Sequence, residues 1–253
     1  MPEEIELRID GDASRPVLIY LPGVHGDWTM SGNLSRCLQG RVRLVIVTYP
    51  RTLTWSLEDY AAAVEAALAA ADLRQGWLLG ESFSSQVVWA LLGRARFGVT
   101  GIILAGGFVR YPMPWAVRPV RGLCRWSVWR WFIPIYRGYG KLFRWKESRD
   151  PAARTELDAF IARRTPLDFQ AMRHRLDLIA ANDPRAVARR TTVPVFGLTG
   201  LVDPIVPWPF VRRWLCRNCP VLRDYRVIPG ADHNVLNMAA PAAAKLILRW
   251  MQV

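Results

Sequence analysis

The sequence predicts an α/β chain built on a doubly wound, mostly parallel sheet, with a helical insertion in its middle. Three observations predict it. Short apolar, β-branched runs alternate with helical patterns at both ends of the chain. "PVLIYL" (16–21) and "VTGIILAGG" (99–107) are continuous apolar runs, as strands buried on both faces must be. The alternation then stops between about 108 and 190, where Trp, Arg and Pro crowd together without a buried-strand pattern. The core is therefore assigned to 1–107 and 191–253, and the insertion to 108–190.

Each element follows from its local pattern. "EIELRID" (4–10) alternates like an edge strand. After "PVLIYL" comes the loop "PGVHGDWTMSG", then a short helix through Leu34 and Cys37. "RVRLVIVTYP" (41–50) is β-branched and stops at a proline, which marks a strand. "SLEDYAAAVEAALAAADL" (56–73) is Ala-rich and opens with Ser56 as N-cap and Asp59 three residues on, close to a capping box. "QGWLLG" is a strand and Ser82 to about Leu92 a helix. "DPAARTELDAFIARRTPLDFQAMRHRLDLIAANDP", inside the insertion, reads as two helices. "TVPVFGLTG" (192–200) and "LRDYRVIPG" (222–230) are strands around the helix "PWPFVRRWLC". "APAAAKLILRWMQ" (240–252) closes the chain as a helix with Pro241 in its first turn.

The bulk numbers narrow the class. With 253 residues and 51% hydrophobic content, the chain can bury a large core and lies far from disorder. Mean hydropathy is +0.08 and no apolar run reaches the roughly 18 residues of a membrane span. The acidic start "MPEEIELRID" lacks the basic and apolar segments of a signal peptide, so a cytoplasmic location is expected. The net charge is +13, almost all of it from Arg. That suits an anionic partner, though GC-rich coding would enrich Arg and Ala as well. Of four cysteines, "CRNC" (216–219) has the spacing of half a zinc site or a redox pair. No second such pair accompanies it, and it follows a helix instead of opening one. Reduced, packed thiols are expected, with no metal.

The chemistry is concentrated at three strand ends. In "LLGESFSSQVVWALLG" (78–93) a serine stands where a strand turns abruptly into a helix. Such a residue is forced into strained backbone angles and needs small neighbours two positions to either side. Gly80 and Ser84 supply them. Alone this is weak, since Ser82 could merely cap a helix. The base must be one of three histidines. His174 lies on an insertion helix between two arginines and His25 follows the first buried strand. Only His233, in "IPGADHNVLN", follows the last strand with a helix behind it, at the carboxyl edge where open α/β sheets bind ligands. For the acid, Asp203 in "GLTGLVDPIVP" is preferred to Asp232, because side chains adjacent in sequence diverge. Oxyanion donors are expected at the amides of Phe83, after the serine, and Val24, in "LPGVHGD", with His25 and Asp27 as neighbouring alternatives.

Ser82, Asp203 and His233, in that order and each after a separate strand, resemble the nucleophile, acid and base of the α/β-hydrolase fold superfamily. "LPGVHGD" resembles its oxyanion loop, with Pro22-Gly23 in place of His-Gly, and "GESFSS" its nucleophile elbow, with Ser84 in place of the last Gly. The resemblance spans the chain outside the insertion. It implies a serine esterase or lipase-like enzyme that needs no cofactor and forms an acyl-enzyme. The same machinery serves thioesterases, C–C hydrolases and acyltransferases. A non-catalytic lipid-binding scaffold is the remaining alternative.

The resemblance makes the insertion a cap over the site. Its segment 111–149 carries nine basic residues and five Trp against a single Glu. An ordinary packed lid, with Arg stems over apolar surface and aromatic rings lining an acyl slot, accounts for this mixture. Contact with an anionic lipid surface is the second reading, and single-stranded nucleic acid is disfavoured. The expected partner is a small ester or acyl substrate.

Overall fold

A computed structural model describes residues 4–125, 128 and 151–253. Most of the basic, Trp-rich segment of the insertion lies outside the described residues, and so does the alternative reading of a lipid contact through it.

Among the described residues one sheet contains β1 (Glu6–Asp10), β2 (Val17–Leu21), β3 (Arg43–Thr48), β4 (Gln75–Glu81), β5 (Gly98–Ala105), β6 (Val195–Gly200) and β7 (Leu222–Ile228). Their spatial order is β1-β3-β2-β4-β5-β6-β7. Only β1 runs antiparallel, pairing with β3 along the edge from Glu6 opposite Thr48 to Asp10 opposite Leu44. The other pairings are parallel. The doubly wound, mostly parallel sheet expected from the sequence is present.

The continuous apolar runs are explained by burial on both faces. Ile19, Leu21, Val45, Val47, Leu78, Ile102 and Leu104 pack on one side, under α2 (Leu57–Ala70) and α3 (Ser84–Arg94). Leu18, Tyr20, Leu44, Ile46, Leu79 and Ile103 pack on the other, under α1 (Gly32–Leu38) and the C-terminal helix Ala240–Met251. Alternate residues of one strand thus feed two cores, because successive side chains point to opposite faces. Full burial of each large aliphatic side chain contributes about 1.5–3 kcal/mol.

The insertion contributes α4 (Pro114–Leu123), α5 (Pro151–Arg163), α6 (Pro166–Ala181) and α7 (Arg185–Arg190) among the described residues. Leu176, Ile179 and Ala188 of these helices join the α2/α3-side core directly. The chain ends with α8 (Trp208–Asn218), the short α9 (Val235–Met238) and α10 (Ala240–Met251). The Ser56–Asp59 capping box forms on α2: the Ser56 hydroxyl accepts from the Asp59 amide, and the Asp59 carboxylate accepts from the Ser56 amide at 2.8 Å. A second such box, Thr165 with Asp168, starts α6. One boundary differs from expectation. Ser82 and Phe83 precede α3, because Ser82 has φ +49° and cannot be helical.

The topology fixes where a site can lie. From β2 the chain steps outward to β3, then crosses back to β4 on the far side of β2. The loops after β2 and β4 therefore diverge and leave a crevice at the carboxyl edge. The loops after β6 and β7 open on the same edge. No helix among the described residues is long and apolar enough to cross a membrane.

Candidate active site

Ser82 sits at the end of β4 in the left-handed region, at a cost of about 1–2 kcal/mol for a residue with a Cβ. Its surroundings hold it there. Its amide donates to the Ala105 carbonyl on β5 at 2.9 Å, and its carbonyl accepts from the Ser85 amide at 3.0 Å and the Ser85 hydroxyl at 2.7 Å. Gly80 is required for space: a Cβ there would lie 2.8 Å from Val88 Cγ2 and 3.1 Å from the Ser84 carbonyl oxygen. Ser84 is fully buried and does more than stay small. Its hydroxyl donates to the Pro22 carbonyl and accepts from the Tyr49 hydroxyl at 2.7 Å. The elbow is thereby tied to the loops after β2 and β3.

The candidate base and acid meet this serine. His233 Nε2 lies 2.8 Å from Ser82 Oγ, and His233 Nδ1 lies 2.8 Å from Asp203 Oδ2. The Asp203 side chain has no exposed surface, whereas 18% of the His233 side chain remains open. Asp203 Oδ1 accepts from the amides of Ile205 and Val206 at 2.8 and 2.9 Å. Its other oxygen is thus the one presented to the imidazole. Two glycines make the approach possible. At Gly106, φ +55°, a Cβ would come within 3.2 Å of the His233 ring. At Gly200, the last residue of β6, a Cβ would strike the carbonyl oxygens of Ala231 and Asp232, the two residues that lead into His233.

Because those obstacles are backbone, Gly200→Ala must displace the histidine loop. We expect a destabilisation of about 1–3 kcal/mol by denaturant titration. We also expect a loss of roughly 10²-fold in any turnover that uses His233, the penalty for misplacing a reacting group by about an ångström. Wild-type turnover in that variant would mean that the loop tolerates the shift.

The loop after β2 supplies the remaining polar groups. Gly23 to Gly26 form a turn closed by the Gly26 amide on the Gly23 carbonyl at 3.0 Å. The Gly23 amide donates to the buried carboxylate of Glu81 at 3.2 Å, which also accepts from the Tyr20 hydroxyl at 2.6 Å. A trans peptide directs its N–H opposite to its C=O. Fixing the Gly23 carbonyl therefore also fixes the Val24 amide. Neither the Val24 nor the Phe83 amide donates to an acceptor among the described residues. Phe83 also opens α3, whose N-terminal partial positive charge favours an anion.

The alternatives in this loop are otherwise engaged. Asp27 pairs with Arg164 and accepts from Thr29 Oγ1 at 2.5 Å. Burial opposes its ionisation, but the Arg164 charge and the hydrogen bonds from Thr29 and Arg164 outweigh it and hold the carboxyl below its ordinary range. Burial pushes the His25 imidazole pKa down, which keeps the ring neutral at pH 7. That ring packs edge-on against Phe160 with centroids 5.7 Å apart.

Other candidates are structural. His174 Nε2 bonds the Trp55 carbonyl at 2.8 Å, and Asp232 Oδ1 accepts from the Asn234 amide at 2.8 Å. The four cysteines are free thiols, with Cys216 exposed and Cys219 buried. Among the described residues no group of three or more His, Cys, Asp or Glu side chains could hold a metal ion. Glu81, Tyr49 and Arg175 are the contributors that sequence reasoning did not single out. Glu81 alone carried a local signal, a carboxylate at the end of an apolar strand beside the serine.

This arrangement can do acid–base chemistry on a hydroxyl. The buried carboxylate orients the ring so that Nε2 accepts the Ser82 proton.

The model of the alpha/beta hydrolase family matches residues 20–244. No curated protein sequence matches the chain. Solved structures of the same fold include a hydrolase from Pseudomonas aeruginosa PA01, 16% identical over 98% of this chain and 94% of that one, with a TM-score of 0.77. An enol-lactonase from Burkholderia xenovorans LB400 is 18% identical over 98% and 96%, also at 0.77. A thermophilic esterase from Thermogutta terrifontis is 18% identical over 98% and 93%, at 0.74. With the family model covering most of the sequence and the strand order of the sheet in agreement, this chain belongs to the alpha/beta hydrolase family.

Proposed function

We propose that the protein is a serine hydrolase that cleaves carboxylic esters through an acyl-enzyme. One observation carries the reading: the His233 imidazole bridges the Ser82 hydroxyl and the buried Asp203 carboxylate, 2.8 Å from each. In the reaction His233 takes the Ser82 proton as Oγ bonds to the ester carbonyl carbon. The amides of Val24 and Phe83 receive the oxyanion. His233 then returns the proton to the departing alkoxide as the C–O bond breaks. Water, deprotonated by the same ring, releases the acid and restores Ser82. That an esterase and an enol-lactonase share the fold supports an ester as substrate.

The test is a panel of chromogenic short- and medium-chain esters, an acyl-CoA thioester, and an ester supplied with an alcohol acceptor. Turnover of the esters, indifferent to a metal chelator, is expected. A cooperatively melting protein that turned over none of the esters, or the thioester alone, would refute the reading.

A further inference from the structure

Arg175 is the most fully buried of the charged residues described, 1% exposed, and among the described residues it makes no ion pair. It projects from α6 of the insertion into the core. Its three acceptors among the described residues are neutral. Nη1 donates to the Val24 carbonyl at 3.0 Å, Nη2 to the Pro50 carbonyl at 2.8 Å and Nε to the Tyr60 hydroxyl at 3.2 Å. The rings of Tyr49 and Tyr60 lie 5.5 and 5.8 Å from the guanidinium carbon. Gly26, at φ +82°, backs onto the guanidinium so closely that a Cβ would collide with it.

A buried cation with no carboxylate in ion-pair contact among the described residues is costly. An apolar side chain on α6 would seal the same interface without that cost, so the fork of donors calls for a reason. The reason lies in the turn it grips. In a four-residue turn the middle peptide can flip, and the flip separates type I from type II. Here the middle peptide joins Val24 to His25, and Arg175 holds its carbonyl. Glu81 holds the preceding Gly23 amide, and the Gly26–Gly23 bond closes the turn. The Val24 amide belongs to the adjoining Gly23–Val24 peptide, which is thus pinned on both sides, by Glu81 on the Gly23 amide and by Arg175 on the Val24 carbonyl.

We infer that Arg175 is a positioning residue: it locks the Val24–His25 peptide, and so makes a competent oxyanion turn conditional on the docking of α6. The inference rests on the ester-hydrolase reading for its kinetic consequence, but not for its structural one.

The test compares wild type with R175A and R175K on one chromogenic ester and one boronic acid, which mimics the tetrahedral adduct. For R175A we expect kcat to fall roughly 10–100-fold, somewhat less than the loss of a whole oxyanion donor. KM should stay within about threefold, and boronate affinity should fall by the same factor as kcat. Millimolar guanidinium should restore part of the rate by refilling the vacated space. R175K, which reaches fewer of the three acceptors, should be intermediate, and it decides the matter if R175A does not fold. Hydrogen exchange across residues 22–27 should quicken in either variant while α3 is unchanged, which tests the positioning even if no ester is turned over. Wild-type kcat in R175K, boronate affinity unchanged per folded molecule, or unaltered exchange in the turn would each overturn the inference.

Discussion

Ser82→Ala is expected to lower kcat for ester hydrolysis by about 10⁶-fold, the usual consequence of removing a serine nucleophile from an intact set of partners. The fold should survive, because the backbone bonds at residue 82 do not involve the hydroxyl. The amide still reaches Ala105 and the carbonyl still accepts from Ser85. Only the contact with His233 disappears. A residual rate above the uncatalysed one should remain from the oxyanion donors and substrate binding. The left-handed angle at this residue adds a second expectation. Ser82→Gly should be equally inactive yet melt above Ser82→Ala, since glycine removes the Cβ cost of about 1–2 kcal/mol. Steady-state kinetics and thermal melts of both variants check the two halves. Retention of most activity in either would mean that another group attacks the ester.

Asp203→Asn should cost about 10⁴-fold in kcat although it changes one atom. The backbone dictates the outcome. The amides of Ile205 and Val206 both point at Oδ1, so the side-chain oxygen of an asparagine must stay there. Its NH₂ group then faces His233 Nδ1 and donates to it. The ring is forced into the tautomer that carries its proton on Nε2, where it can no longer accept from Ser82. Geometry is kept and the proton is on the wrong nitrogen. The measurement is kcat across pH for wild type and variant, with melts to verify folding. A loss below tenfold would show that Asp203 is dispensable for orienting the ring.

How far the sequence could be read depended on how local the information was. Strand runs such as "PVLIYL" and the Ser56–Asp59 box are local, and both appear in the structure. The pairing of β1 against β3 depends on register between distant segments, and only its edge position was legible, from its alternating pattern. Ser82 and His233 could be read because each stands at a strand end with a helix behind it. Asp203 won over Asp232 on the simple ground that sequence neighbours diverge, and Asp232 is occupied with the Asn234 amide. What stayed hidden was long-range. Nothing near Arg175 says that its guanidinium spans to Val24, Pro50 and Tyr60, more than a hundred residues away along the chain. Ser84 looked like a compromise for glycine in the elbow, whereas its hydroxyl joins Tyr49 to the Pro22 carbonyl, a use that only the folded arrangement reveals.

The central claim is that Ser82 becomes nucleophilic through His233. Fluorophosphonate labelling followed by peptide mass mapping tests it most directly. The account predicts one adduct per chain, on Ser82, formed at a rate that falls sharply in His233→Ala. An unlabelled Ser82 in a chain that still hydrolyses esters, or equal labelling without the imidazole, would contradict it.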